Sequence, residues 1–524
     1  MRDFSGEIGA RYDALPYPGY SFPETHLSRL AAIGRLHGLD APDPRRARVL
    51  ELGCGTGINL LAMAQLFPDA RFHGVDVSSV HTHQAIATAQ ATGICNTTFR
   101  CLDLLSLEKD PNGYDYILCH GVYSWVPDHV RQAILGIIRE SLRPAGIALL
   151  SYNCRPGWDF RGALRGMMLM HAGEKDSIGE RVIRSRDLMR FLTNEVSKET
   201  AYGRFLQEES AYLEGREDAY IAHEMLEAEN KAFYLRDFMK EASDYGLSYL
   251  GDARAMVTGV EELRPAPANW IREAASTPLE REQYLDFIRM RMFRSTLLCR
   301  TGIGTSESSE SSRIGGLQVC GWIRLKQPYG AGLPAVVTTR EGAEISLNHP
   351  VAAVLFSRLA ELGELPVEGS TLLDEVIQRM ENIPEAGNPS RWRGDLETLL
   401  LRGYRKGMLD LRIAFPQGPT ASPIPDLPRT LPLARWQVAH KLPVSGRDLA
   451  LFRPDALTGK MIMLCDGSQR KEELLTLLAR SYEAGEFAIA GIAGRDLQQI
   501  HQILEAGYDE MIRRLEALGV LDRV

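Results

Sequence analysis

Short apolar runs alternate with amphipathic stretches of helical length along roughly the first 155 residues. RVLEL (48–52), RFHGVDV (71–77), TTFRCLDL (97–104), YDYILCHG (114–121) and GIALLSYN (146–153) read as strands, with helical patterns such as NLLAMAQLF and VRQAILGIIRESL between them. That β-α-β-α rhythm predicts a doubly wound, mostly parallel α/β sheet. The fourth helix is expected to end at Leu142, before the proline stop at Arg143-Pro144.

From about residue 160 to 235 the pattern becomes helical without strands, rich in Met, Arg and Glu. FYLRDFMKEASDYGLSYLGDARA then resumes the earlier rhythm with a helix, a stop at Gly246 and a strand. LEREQYLDFIRMRM leads into FRSTLLCR (293–300), a last strand. Residues 1–160 are thus expected to form a core, and 161–301 a helical middle region that returns the last strands to the same sheet. TSESSESS, bracketed by glycines 302, 304, 315 and 316, predicts a flexible linker over 302–316. Beyond it two segments, LLLRGYRKGMLDLRIAF and DEMIRRLEALGVLDRV, each read as a helix, a glycine stop and a short strand. Gly407-Met408-Leu409-Asp410 stands beside Gly519-Val520-Leu521-Asp522 in this comparison, and predicts winged-helix-like modules over 317–420 and 421–524. Their helices mix Arg with Asp and Glu, which speaks against DNA binding.

Composition changes this picture little. An apolar share of 44% and a charged share of 24% are ordinary for a globular chain, and a net charge of −8 gives no reason to expect nucleic acid as the main partner. The N-terminal MRDFSGEIGARYDALPYPGY has no apolar core of a secretory signal, and no run approaches the ~18 apolar residues of a membrane span. The eight cysteines are scattered without a C-x-x-C pair, as expected for reduced core thiols rather than disulfides or a zinc site. HEMLE (223–227) lacks the second histidine of a zinc-protease helix and reads as ordinary helix surface. The expectation is a cytoplasmic, multi-domain protein with no metal.

VLELGCGTGINLL (49–61) carries the strongest local chemistry. A buried strand runs into a glycine turn and a helix start, where Gly53, Gly55 and Gly57 let backbone approach a ligand and the helix offers unpaired N–H groups. The spacing is G-x-G-x-G, not the G-x-G-x-x-G of a dinucleotide loop, and no Gly-Lys-Ser/Thr follows. Glu51 just before the turn would repel a pyrophosphate, but suits a cofactor carrying an ammonium and a sulfonium. Asp76 at the second strand tip stands about 20 residues on, where an acid accepts ribose hydroxyls. Asp103 ends the third strand, placed for an adenine amine, with Leu104 to pack on the ring.

ELGCGTG, GVDVS, CLDL and the fourth strand tip together resemble the class I methyltransferases that use S-adenosylmethionine (SAM). The resemblance implies a Rossmann-like seven-stranded sheet whose seventh strand is antiparallel, with LSYLGDA and FRSTLLCR as its last two strands. It also implies cofactor contacts from Glu51, Gly53, Cys54, Gly55, Gly57 and Asn59, from Asp76 and Val77, and from Asp103 and Leu104. Tyr12 and His120 join them in this reading, His120 as a contact to the methionine portion or as a general base.

Ligands of open α/β sheets sit beyond the carboxyl ends of the strands. HGVYSWVP therefore puts His120, Tyr123 and Trp125 at the transfer site, and SYNCRPGW adds Tyr152, Asn153 and Trp158 to the same rim. The proline-broken RYDALPYPGYSF brings Tyr12 and Tyr17 on a segment suited to fold over the cofactor. Methyl transfer is an in-line displacement that asks mainly for alignment. A lysine acceptor must also lose a proton, which burial favours, and aromatic faces can hold its cation. Tyr123, Trp125, Tyr152 and Trp158 are candidates for that task, with Asn153 or His120 orienting the amine.

YDALPYPGYSFPETH, ELGCGTGINLLAMA, HGVYSWVP, SYNCRPGW and AHEMLEAENKAFYLRDF are similar to bacterial methyltransferases with a methyltransferase regulatory domain, a group that includes rickettsial protein lysine methyltransferases acting on outer-membrane proteins. That similarity implies a protein acceptor methylated on lysine, with C-terminal winged-helix modules that help hold it. A small-molecule O-, N- or C-acceptor is the alternative, and a non-catalytic SAM-binding regulator a third reading. Arg155 departs from the family pattern before Pro-Gly-Trp, and an anionic acceptor would explain it.

Overall fold

The protein is described here as a computed structural model over residues 9, 12, 13, 15, 19–173, 177–254, 258–306, 309–330, 333–340, 342–381, 383, 388–414, 424–489 and 497–522. Seven strands form the central sheet: β1 (Arg48–Leu52), β2 (Arg71–Asp76), β3 (Thr97–Cys101), β4 (Tyr114–Cys119), β5 (Leu142–Asn153), β6 (Leu247–Asp252) and β7 (Phe293–Arg300). Their order is β3-β2-β1-β4-β5-β7-β6, and β7 runs antiparallel to both β5 and β6. This is the expected Rossmann-like arrangement. The order reverses between β1 and β4, so the carboxyl ends of these two strands open the crevice in which ligands of such sheets sit.

Both sheet faces are covered, because successive strand side chains point to opposite sides and both sides carry apolar residues. Val49, Ile147 and Leu149 face one core with α1 (Leu27–Leu36) and α2 (Ile58–Ala64). Leu50, Ala148, Leu150 and Tyr152 face the other, with α4 (Asp128–Ser141) and α8 (Leu235–Asp244); α3 (Ser79–Thr92) follows β2. In α8 the buried set Leu235, Phe238, Met239 and Ala242 repeats at helical spacing and lies on that second face. Several strand ends differ from expectation, and β2 and β4 stop at Asp76 and Cys119, short of the expected Val77 and Gly121. β3 stops at Cys101 because Asp103 turns the chain, its carboxylate accepting the Leu105 N–H at 2.9 Å. β5 starts at Leu142 instead of 146, joined there to β4 through Tyr114.

The helical insertion consists of α5 (Gly157–Ala172), α6 (Ile178–Glu195) and α7 (Ala201–Glu214), with a core of its own around Leu164, Met168, Met189 and Leu206. Two further helices, α9 (Pro265–Ala274) and α10 (Pro278–Arg289), precede β7. The segment expected as a free linker is held along α1 over its described part. Ser306 and Glu310 donate backbone N–H groups to the carbonyls of His37 and Leu36, each at 2.8 Å, and Ile314 is fully buried.

Past it, the strands Gln318–Gly321, Val367–Glu368 and Leu409–Arg412 form one small antiparallel sheet, and Arg429–Thr430 pairs with Leu521–Asp522 in the last module. Gly407 and Gly519, at φ 67° and 69°, turn each preceding helix into its strand. Both modules are fastened to the sheet. Arg29 of α1 donates to the buried Asp410 carboxylate at 3.1 and 3.2 Å, and the hydrophobic core of the last module is continuous with that of α1 and α2.

Candidate active site

At the end of β1 the chain makes the glycine turn with Gly53, Gly55 and Gly57 all at positive φ (72°, 52° and 73°). Added Cβ atoms at Gly53 and Gly57 would strike Val122 and Phe99, at 2.4 and 2.7 Å, whereas at Gly55 nothing lies within 4 Å. The loop is thus packed at its ends and open in its middle. Gly53 and Cys54 donate their N–H groups to the Val75 carbonyl, and Gly55 N–H is held by Asp76 at 2.8 Å. The other Asp76 oxygen accepts from Ser78 N–H at 2.9 Å, so the acid fixes the loop as well as the strand tip. Each carboxylate oxygen has two lone pairs, which leaves acceptor capacity for hydroxyl groups.

Glu51 is almost fully buried beneath this loop. One oxygen accepts from the Asn59 amide at 2.7 Å, and the other has no partner. Burial pushes this carboxyl up to about 8 against the pull of Asn59, and the Asp76 charge adds to the rise. An unpaired buried carboxyl oxygen beside an open glycine turn fits the ammonium of a SAM methionine portion, which would supply the missing donor and return the group to its ionised form.

The N-terminal segment crosses the same loop. An added Cβ at Gly19 would lie 2.0 Å from Thr56 Oγ1, a close approach that only glycine allows. Phe22 N–H and the Thr25 hydroxyl donate to Asn59 Oδ1 at 3.1 and 2.9 Å, tying this segment to the residue that holds Glu51. Asp13 accepts from Ser78 Oγ and Val80 N–H at the start of α3, and the Tyr12 ring lies stacked on His223 and edge-on to His81. HEMLE is therefore not plain helix surface. His223 is buried in a π-helical turn, Ile221–Met225, and its ring meets the Leu15 carbonyl at 2.8 Å. Tyr17 lies outside the described residues.

Beyond β4, His120 stacks on Phe22 at 3.9 Å, with Nε2 3.6 Å from the Glu24 carboxylate. Burial alone would raise the Glu24 carboxyl, but His120 and Arg254 together outweigh it and hold the group well below the usual carboxylate range. Trp125 and Trp158 meet edge to face at 6.1 Å. Ser124 Oγ accepts from Asn153 N–H, and residues 230–233 run alongside: Lys231 N–H donates to Ser124 O at 2.8 Å and Phe233 N–H to Asn153 O at 2.9 Å. Trp158 Nε1 donates to Asn230 at 2.8 Å, and the side-chain amides of Asn153 and Asn230 each keep an unpartnered nitrogen.

Three segments of the chain match family models: residues 49–146 a methyltransferase domain, 217–300 a predicted methyltransferase regulatory domain, and 426–520 a PKMT C-terminal winged helix domain. One uncharacterized protein of Rickettsia prowazekii is 35% identical over 232 residues, a span covering 44% of this chain and 93% of that protein. The chain belongs to the class I SAM-dependent methyltransferases that carry a methyltransferase regulatory domain. A second uncharacterized protein of the same organism is 27% identical, the match covering 96% of this chain and 92% of the relative. PKMT2 from Rickettsia typhi, in complex with AdoHcy, superposes with a TM-score of 0.83 at 25% identity over 97% of this chain and 100% of that one.

Within the methyltransferase, the sequence-derived cofactor set Glu51, Gly53, Cys54, Gly55, Gly57, Asn59, Asp76 and Val77 gathers at the adjoining ends of β1 and β2. Asp103 and Leu104 stand one strand further out, in the turn after β3. The aromatic set divides. Tyr123 and Tyr152, expected on the rim, are fully buried, Tyr152 stacked on Phe238 at 4.2 Å with its hydroxyl on Thr296, and Tyr123 bonded to Glu241. Both are core residues beneath α8. Trp125 and Trp158 do lie together, but Arg165 and Arg161 each cover one ring, both at 5.6 Å. Arg155 pairs with Asp159 at 2.9 Å and lies over Tyr234, which accounts for it without an anionic acceptor. Glu24, Asn230 and Arg254 were not singled out from sequence. Glu24 and Asn230 sit inside the quoted motifs YDALPYPGYSFPETH and AHEMLEAENKAFYLRDF, and only the fold brings them to His120 and Trp158.

Among the described residues no group of three or more His, Cys, Asp or Glu is placed to hold a metal ion. No helix among them is long and apolar enough to cross a membrane.

Proposed function

We propose that the enzyme methylates lysine side chains of a protein acceptor, with SAM seated on Glu51, the glycine turn and Asp76. The observation that carries this reading is how the last module is built onto the catalytic sheet. Its core is continuous with α1 and α2, and Ser445 and the Leu449 carbonyl accept from Ser21 at 2.9 Å, next to the segment that crosses the cofactor loop. A docking body of that size beside the transfer site suits a polypeptide better than a metabolite. The match of this module to a PKMT winged helix domain and the full-length likeness to PKMT2 support the same acceptor.

In this reading SAM would supply the methyl group and leave as S-adenosylhomocysteine, and the protein's part is to place the acceptor in line and disfavour its charged form, so that the ammonium proton passes to solvent before transfer. Trp125 and Trp158 form the apolar wall that lowers the amine pKa by desolvation. Asn153 and Asn230 orient the nitrogen, and His120, held by Glu24, backs the methionine portion. A surface or outer-membrane protein with many accessible lysines is the acceptor most in keeping with the rickettsial resemblance. Action in the cytoplasm agrees with eight free cysteines, six of them buried.

The test is incubation with tritiated SAM and a lysate of the native host, followed by acid hydrolysis. Methyllysine in protein is the expected result. Label confined to small molecules would replace this acceptor with a metabolite. Asp76→Ala should abolish SAM binding in calorimetry, and unchanged affinity would remove the ribose role.

A further inference from the structure

A cavity of about 390 Å³ lies between the edge strand β6, the end of α1, the first turns of α10 and helix Pro389–Arg405 of the first module. It is remote from the cofactor crevice, since β6 stands four places from β1 in the sheet, about 19 Å at the usual strand spacing. Charges on its wall are unevenly paired. Asp252 is held by Arg291 and Arg294, each at 3.3 Å, Glu282 by Arg294 at 3.2 Å, and Glu261 by Arg405 at 3.1 Å. Arg281 and Arg402 line the same cavity and have no acidic partner among the described residues. Arg281 is half-buried, its Nε is buried without a hydrogen bond, and the Tyr249 hydroxyl is likewise unpartnered. Burial, with the Glu282 charge beside it, holds the Tyr249 phenol protonated far above its usual range, so it can only donate. Ile33, Leu36, Leu285 and Leu401 supply an apolar side to the wall.

These unmet groups are donors, and the acids beside them are already engaged. The complement of such a wall is an acceptor-rich anion with an apolar body. Its size suits a metabolite, being at the lower end of the range of about 300–1,000 Å³ for small-molecule sites. Three acids on the wall would repel the second charge of a phosphate. They leave a carboxylate, which a guanidinium can take in two parallel hydrogen bonds. We infer that this cavity is a second ligand site, separate from the SAM crevice, that binds a small organic carboxylate through Arg281, with Tyr249 and Arg402 as further donors. A molecule seated there touches α1, the regulatory domain and the first module at once, and so joins three parts of the chain. The site does not depend on what the methyl acceptor is.

The test is calorimetry on the full chain saturated with S-adenosylhomocysteine, whose own carboxylate then occupies the cofactor crevice. Phenylacetate, its neutral amide phenylacetamide and inorganic phosphate are titrated in turn. Phenylacetate should bind at submillimolar concentration, and the amide about tenfold or more weaker. Arg281→Met should weaken phenylacetate about tenfold or more, as for loss of a charge-assisted hydrogen bond, and Tyr249→Phe several-fold. Affinity for S-adenosylhomocysteine should stay within about twofold of wild type in both variants. No binding of phenylacetate at millimolar concentration, equal binding of acid and amide, or equal binding by wild type and Arg281→Met overturns the site. Phosphate bound more tightly than phenylacetate overturns the ligand class. Urea unfolding adds a measurement that needs no ligand: neither variant gives up a hydrogen-bond partner, so neither midpoint should fall. A clear fall for Arg281→Met would make that residue a structural one and also overturns the site.

Discussion

Replacing Glu51 with glutamine should stabilise the unliganded enzyme and cripple its cofactor binding at once. The folded carboxyl sits at about 8, against an ordinary value of 4.5, chiefly because burial disfavours its charge. Below pH 4.5 the group is protonated in both folded and unfolded chains and contributes no difference. Above it the unfolded chain ionises while the folded one stays protonated, so the fold loses about 1.36 kcal/mol per pH unit until the folded group itself ionises near 8. At pH 7 the accumulated penalty is about 3 kcal/mol. Glutamine keeps the acceptor for Asn59 and cannot ionise, so Glu51→Gln removes that penalty. Urea unfolding of the unliganded proteins from pH 5 to 8 should show a small advantage for the variant at pH 5 that grows steadily and levels off above about 8. Calorimetry should show the opposite for SAM. Losing a charge-assisted hydrogen bond of about 1.5–3 kcal/mol weakens binding by roughly 10- to 150-fold. Wild-type affinity should itself rise with pH up to about 8, because binding must displace the Glu51 proton. A stability advantage that does not change with pH, or SAM affinity indifferent to the substitution, would refute the assignment of Glu51 to the ammonium.

Four further outcomes are expected. Tyr152→Phe should cost only the hydrogen bond to Thr296, about 1 kcal/mol of stability, with turnover within about twofold; a collapse of kcat would return Tyr152 to the active site. Trp125→Ala should leave SAM affinity within a few-fold while turnover collapses, and equal losses of both would make the residue structural. Glu24→Gln removes a carboxylate held well below its usual range, whose stabilisation is present above about 4.5 and fades as pH falls through the folded value; the variant should be less stable than wild type at pH 7, and the gap should narrow on acidification. Arg294→Met leaves Asp252, Asp286 and Glu282 facing a buried apolar group. About 3–5 kcal/mol should be lost in urea unfolding, and an unchanged midpoint would show the network to be dispensable.

The sheet was legible because its strands are short, apolar on both faces and separated by regular helical periods. The glycine turn was legible because its backbone demands are local. Side-chain destination was harder. Tyr152 shares strand parity with Ala148 and Leu150 and so points to the same face, which is visible in sequence. What buries it is Phe238 on α8, some 86 residues later, and no local signal announces that helix as the lid of β5. The tryptophans show the reverse case. They were placed at the right corner, but the guanidinium groups covering them come from α5, a helix whose arginines look like ordinary polar positions between apolar ones. Asn230 was unreadable for a similar reason: its significance depends on an extended stretch from the regulatory domain pairing with a catalytic strand end.

Ser21 and Phe22 are neighbours in the chain, yet one answers to Ser445 and the other to Asn59 under the glycine turn. A protease cut or frameshift that removed the final hundred residues would therefore unpin the N-terminal segment from one side and strip the apolar backing of α1 and α2. Removing the tail should loosen SAM as well as the acceptor, so shortened chains are poor stand-ins for the catalytic domain.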